Sequence, residues 1–247
     1  MNFLRIVKFD IRNIVKNPML LIINTIFPLV IVVMIGYLTS GSYRAGAITS
    51  YDYYGVTMMI YTALMVSMTV SNTFMEKTVT NGNLRIVYAP VSKTEIYLSK
   101  IISTYLFTTV TYSILMCLMQ FGFHINFGGE NLFFIIVIVN IFTFFSCCFG
   151  TMLCCLLKSE ESTNTIVQPI NQLLAFFGGL FFPVASLGKF MEEVSNFMPT
   201  KWITECTFRV IYDYDFSLYL STIGLLILGS AVCIAVSQIT FKPEEYV

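Results

Sequence analysis

Charge is scarce in this chain. Asp, Glu, Lys and Arg together supply 11% of its 247 residues, against roughly 25% in soluble globular domains. So little charge cannot cover a water-facing surface, which excludes an ordinary soluble protein and indicates a polytopic membrane protein. Net charge is zero, so no bulk electrostatic attraction to nucleic acid is expected. Histidine occurs once: His124, with Glu130 nearby in a short connection, offers too few ligands for a metal centre and reads as a solvated loop residue. Of seven cysteines, Cys117, Cys147, Cys148, Cys154, Cys155 and Cys233 lie in apolar runs and only Cys206 in a polar connection, so no disulfide framework is implied. The motifs Gly-x-x-x-x-Gly-Lys-Ser/Thr, Gly-x-Ser-x-Gly and His-Glu-x-x-His are absent. The expectation is a protein that is not an enzyme, with no catalytic, cofactor-binding or metal residues, whose energy comes from another chain.

Hydrophobic residues make up 56% of the sequence and the mean hydropathy is +0.77. A hydrocarbon core of about 30 Å needs about 20 apolar residues in a helix. Six runs qualify, over 19–38, 54–74, 96–121, 132–157, 163–182 and 217–239. The spans fill the length, so a single all-α membrane domain over 1–247 is expected. With the N-terminus inside, Arg5, Lys8, Arg12, Lys16, Lys77, Arg85, Lys93, Lys100, Lys158 and Lys242 lie on the cytoplasmic side, while only Arg44, Lys189, Lys201 and Arg209 lie outside. That bias predicts an N-in/C-in layout.

Residues 1–17 lack the apolar core and cleavage site of a signal peptide. Leu4, Val7, Ile11, Ile14 and Val15 recur three and four apart and the basic residues keep to the polar side, so the segment predicts an amphipathic helix in the headgroup plane. Asn17-Pro18 ends it. No acidic or basic residue falls deep within a span; Glu76 and Lys100 sit near the inner ends, which argues against an ion-coupled carrier.

The 75–95 connection carries two signals. Leu84, Val87, Tyr88 and Val91 form an i, i+3, i+4, i+7 stripe between Gly82 and Pro90, a short helix too small to stand alone in water. It needs either the protein's own span ends or a separate subunit to pack on. Ser92-Lys93-Thr94-Glu95 is a capping box that starts the third span. Beyond the fifth span, two further stripes predict short outer or re-entrant helices: Leu187, Phe190, Met191, Val194, Phe197 and Met198, then a weaker one of Ile203, Cys206, Thr207, Val210 and Ile211. Trp202 and Tyr212 suit interface anchors.

Polar groups are uneven. The fifth span carries Asn164, Gln168, Asn171 and Gln172 near one face, and the second carries Ser67, Thr69, Ser71 and Asn72 toward its inner end. Amides cannot face lipid unsatisfied. They serve either as helix–helix glue or as a translocation path or dimer seam, with Phe176 beside them. In the fourth span, Ser146, Gly150 and Cys154 stand four apart, a small-residue pattern for close helix approach.

In this order, these features resemble the membrane subunit of ABC-2 type exporters. The resemblance rests on the N-terminal helix, the six spans, the interval Glu76-Lys77…Gly82…Leu84…Ala89-Pro90-Val91-Ser92-Lys93…Glu95, and Gln168 to Pro183 followed by Leu187, Pro199, Thr200 and Trp202. It implies that two permeases, identical or paralogous, pair in the bacterial cell membrane. Each docks one cytoplasmic ATP-binding subunit, which holds the ATP and Mg that this chain does not bind. It further implies a coupling helix over about 82–88 in which Gly82, Leu84, Arg85, Val87 and Tyr88 meet the ATPase, with Glu76 at the end of the second span connecting the motion of the spans to it, and a path lined by spans two and five. Met58, Met65, Met68, Phe74 and Phe177 among the amides suit an amphipathic or hydrophobic cargo such as a toxin or antimicrobial peptide or a drug. The alternative from another class is an ATP-independent channel, or an immunity protein that sequesters a peptide.

Overall fold

The computed structural model describes residues 3–41, 48–75, 83, 86, 88, 91–184 and 188–242. Helices α1 (Phe3–Lys16), α2 (Pro18–Thr39), α3 (Ser50–Met75), α4 (Lys93–Gly122), α5 (Leu132–Leu157), α6 (Glu160–Phe177), α7 (Lys189–Ser195), α8 (Pro199–Phe208) and α9 (Tyr219–Thr240) account for nearly all of them. A one-turn 3-10 segment leads into α5, and a π-helical turn, Arg209–Asp213, extends α8.

Local chemistry sets the helix starts. Asn17 caps α2 by accepting from the Met19 and Leu20 amides at 3.0 and 3.3 Å, with Pro18 in the first helical position, where its missing N–H goes unneeded. The Ser92 hydroxyl accepts from the Glu95 amide at 3.3 Å while the Glu95 carboxylate accepts from the Ser92 amide at 3.0 Å, so the expected capping box opens α4.

Among the described residues, α2, α3, α4, α5 and α9 are long and apolar enough to cross a membrane. Their bounds lie within a few residues of the runs read from the sequence. The remaining run, 163–182, is different: α6 has 18 residues, is rich in amides, and stops at Phe177. Gly179 adopts φ +73°, a left-handed conformation that favours glycine. At Gly178 a side chain would collide with Thr200, whose hydroxyl donates to the Leu174 carbonyl.

Helix α3 is the axis of the bundle. It packs against α1, α2, α4, α5, α6 and α8, and 89% of its apolar window is buried, against 28% for α2 and for α9. A helix enclosed on all sides needs close neighbours, and α5 supplies one through the small-residue row. Ser146, Gly150 and Cys154 are fully buried, and a Cβ on Gly150 would sit 2.3 Å from the Ser67 carbonyl oxygen. The chain runs back and forth, so the starts of α2, α4 and α6 share one end of the bundle with α1 and the ends of α3, α5 and α9. There Phe241 meets Phe74 and Tyr97 edge-on, with ring centroids 5.8 and 5.7 Å apart.

The two outer stripes behave unequally. Ile203, Cys206, Thr207, Val210 and Ile211, the weaker pattern, are all buried against the bundle. In the stronger pattern Phe190 and Phe197 are 72% and 80% exposed, and Ser195 is the buried residue of α7.

Candidate functional site

The α1 end of the bundle holds a buried ion pair. Lys100 lies two turns into α4, and Asp10 faces it from α1. The ammonium donates to Asp10 Oδ1 at 2.6 Å, and their side chains are 2% and 1% exposed. Ser99 donates to Asp10 Oδ2 at 3.1 Å. Lys100 also donates to Asn83 Oδ1 at 2.7 Å, and the Asn83 amide donates to the Phe74 carbonyl at the end of α3 at 2.8 Å. Four segments are thus tied by one set of hydrogen bonds, and the remaining polar capacity is used as a buried charge requires. Burial pushes the Asp10 carboxyl up from its ordinary value, with the Lys100 charge pulling the other way.

Asn83 belongs to the connection in which the coupling helix is expected. Glu76, Gly82, Leu84, Arg85 and Val87 of that expectation lie outside the described residues. Tyr88 is described and is 81% exposed. Ile86, which the stripe reading did not single out, is buried in the core at 4% exposure. Asn83 and Ile86 thus anchor to the membrane bundle while Tyr88 is exposed.

The amides of α6 divide in two. Asn171 is fully buried and donates to Ser67 Oγ at 2.8 Å, Asn164 donates to Asn72 Oδ1 at 3.0 Å, and Gln172 donates to the Tyr61 hydroxyl at 2.9 Å. These three bonds join α6 to α3. Ser71 is also fully buried on α3, and its hydroxyl has no hydrogen-bond partner in the structure. Another arc of α6 is uncovered among the described residues: Thr165, Gln168, Pro169 and Leu173 are exposed, Phe176 is 36% exposed, and Gln172 is exposed at its border. The structure thus brings Ser67, Asn72, Asn164, Asn171 and Gln172 together at the α3–α6 seam and leaves Gln168 and Phe176 facing outward.

A cavity of about 390 Å³ opens beside that seam, between α2 and α3. Its walls are Met19, Ile23, Phe27, Met65 and Met68, and Asn72 and Asn164 stand at one side. The volume and the apolar lining with a few polar groups are those of a small-molecule pocket. Its polar wall is Asn24, which accepts from the Tyr112 hydroxyl at 2.9 Å and donates to the Leu20 carbonyl at 2.8 Å and to Thr69 Oγ1 at 3.3 Å.

At the far end, tyrosines hold the chain that follows α6. The Tyr53 hydroxyl donates to the Gly179 carbonyl at 2.8 Å and the Tyr54 hydroxyl to the Phe181 carbonyl at 3.0 Å. The Asp52 carboxylate accepts from the Asn126 amide at 2.7 Å, which fixes the connection containing His124; His124 itself is exposed.

Sequence reasoning did not reach Asp10, Asn83, Tyr61 or Tyr112. For Asp10 a signal existed: at about 100° per residue it falls in the same arc as Ile6, Val7 and Ile14, an acid within an apolar face.

Comparison with known proteins agrees with this architecture. The linearmycin resistance permease protein LnrN of Bacillus subtilis (strain 168) is 25% identical over 118 residues, a stretch covering 48% of this chain and 30% of that protein. The chain thus aligns with under a third of that relative's length, and the Bacillus source fits a bacterial setting. The family described as "ABC-2 family transporter protein" matches residues 44–239, from before α3 almost to the end of α9. With most of its length inside that match, the chain belongs to the ABC-2 transporter family and is a multi-pass membrane transport subunit.

Proposed function

We propose that this protein is the permease subunit of an ATP-driven exporter. Two permeases pair, and each docks a separate ATP-binding subunit on the face that carries the 76–95 connection. The observation that carries this reading is the family match over 44–239 in a sequence without a nucleotide-binding motif. Supporting it are the exposed Tyr88 beside the buried Ile86, which suit a segment with one side fixed and one side free for a partner. The exposed Gln168 on α6 supports pairing, because an unsatisfied amide in lipid is costly and a second protomer or a water-filled path relieves it. In this reading α6 is the fifth of six spans, made viable by that shared seam, and both termini are inside.

The cargo is amphipathic or hydrophobic, a peptide or a drug-like compound. The methionine-lined, uncharged cavity suits such a molecule, and the relative's name as a resistance permease supports a toxic compound. The test is copurification of the tagged permease from its native host in mild detergent, with bound chains quantified by mass spectrometry. An ATP-binding subunit at about one per permease is expected. Recovery of the permease alone, under conditions that preserve a known exporter complex, would favour an ATP-independent channel or a peptide-sequestering protein.

A further inference from the structure

The side chains of helix α1 fall into distinct arcs, and the bundle covers one of them. At about 100° per residue, Ile6, Val7, Asp10 and Ile14 share one arc, and all four are buried against the bundle. Leu4, Ile11 and Val15 share the next arc; Leu4 and Val15 are 70% and 48% exposed. Arg5, Lys8, Arg12 and Lys16, at i, i+3, i+7 and i+11, share the third, and all are exposed. Among the described residues, none of these four cations makes an ion pair or side-chain hydrogen bond.

We propose that this stripe is a binding surface for anionic phospholipid headgroups. Four unpaired cations lie in a row beside an exposed apolar arc on a helix at one end of a membrane bundle. When Leu4, Ile11 and Val15 dip into the acyl boundary, the neighbouring row sits at headgroup level, where an amphipathic basic helix gains both apolar burial and attraction to negative lipid. A freely rotating helix would average this arrangement away. The Asp10–Lys100 pair prevents that: it lies on the side of the helix roughly opposite the cations and fixes the register in which they face outward. Because Lys100 also holds Asn83, the same contact makes the position of α1 felt in the connection between α3 and α4. The proposal needs only the membrane location and stands or falls independently of any ATP-binding partner.

The experiment uses the full-length purified permease, with any copurifying subunit, offered an equimolar mixture of phosphatidylglycerol and phosphatidylcholine of identical acyl chains. Native mass spectrometry counts the retained lipids. The wild type is expected to retain phosphatidylglycerol preferentially, and each cation removed lowers the preference by up to about fivefold at low salt. The variant Arg5→Gln/Lys8→Gln/Arg12→Gln/Lys16→Gln loses the preference. Gln is a good helix former and the sites are exposed, so the fold is retained; should that variant fail to accumulate, Lys8→Gln/Arg12→Gln carries the test with a partial loss. The sign-preserving variant Arg5→Lys/Lys8→Arg/Arg12→Lys/Lys16→Arg keeps the preference, which ties the effect to charge. Equal retention of both lipids by the wild type, or an unchanged preference in the Gln variants, overturns the proposal. So does loss of a copurifying protein from the Gln variants with the lipid preference intact, which would mean that the cations meet an acidic protein surface.

Discussion

Helices α3 and α6 lie side by side, and both carry side chains that lipid cannot satisfy, yet they dispose of them in opposite ways. On α3 the hydroxyls of Thr57, Thr62, Ser67 and Thr73 donate to carbonyls one turn back, and the helix is then closed in on every side. On α6 the amides of Asn164, Asn171 and Gln172 are spent on α3, and Gln168 stands exposed without a hydrogen-bond partner among the described residues. Polar residues in a membrane helix therefore do not by themselves mark a path. In the proposed reading a path or seam is marked instead by a surface that the fold leaves uncovered, here the exposed arc of α6 with Gln168.

The contrast implies that interior substitutions act on folding and outward ones on assembly. The largest effect is expected from Lys100→Met, which strands the buried Asp10 carboxylate. Breaking such a pair costs about 3–5 kcal/mol, so the variant should accumulate poorly and melt far below the wild type. The double variant Asp10→Leu/Lys100→Met should recover much of that loss, a result that a double-mutant cycle of thermal melts reads directly. Next is Gly150→Val, which drives a branched side chain into the α3 backbone; overpacking of this kind costs about 1–3 kcal/mol, visible as a lower melting temperature in detergent. Asn171→Leu removes one interhelical hydrogen bond to Ser67 and should cost about 1 kcal/mol. Tyr88→Asp, at an exposed site, should leave the melt within about 0.5 kcal/mol of wild type while lowering the amount of ATP-binding subunit recovered with the permease. A large drop in melting temperature for Tyr88→Asp would erase the distinction between the two classes.

Much of this was legible in the sequence, because local rules govern the parts that were read. The run 132–157 is α5 to the residue, since an apolar stretch between polar loops has one helical solution. The Ser92/Glu95 box placed the start of α4 for the same reason. The end of α6 was set five residues too late: hydropathy continues through Leu180, Phe181 and Phe182, whereas the chain turns at Gly179, which takes the left-handed conformation while the Leu180 amide donates back to the Ala175 carbonyl at 3.0 Å, a stop that an apolar run does not report. The relative burial of the two outer stripes was equally hidden. Periodicity says that a face is apolar and not which neighbour will cover it; α8 found the bundle, while Phe190 on α7 and Phe197 just after it stay exposed. The pairing of Asp10 with Lys100 spans ninety residues, and no local pattern reports a partner at that distance.

The uncovered arc of α6 carries the account, and cross-linking tests it most directly. A cysteine placed by Gln168→Cys would be treated in native membranes with a short bifunctional maleimide, alongside Val110→Cys on the exposed side of α4 as a control. The native cysteines are buried apart from the half-buried Cys117, so the unmodified chain gives the background. The account predicts a cross-linked species containing two permease chains for Gln168→Cys and none above background for Val110→Cys. A Gln168→Cys protein that is labelled only as a monomer, or no more cross-linked than the control, would contradict it.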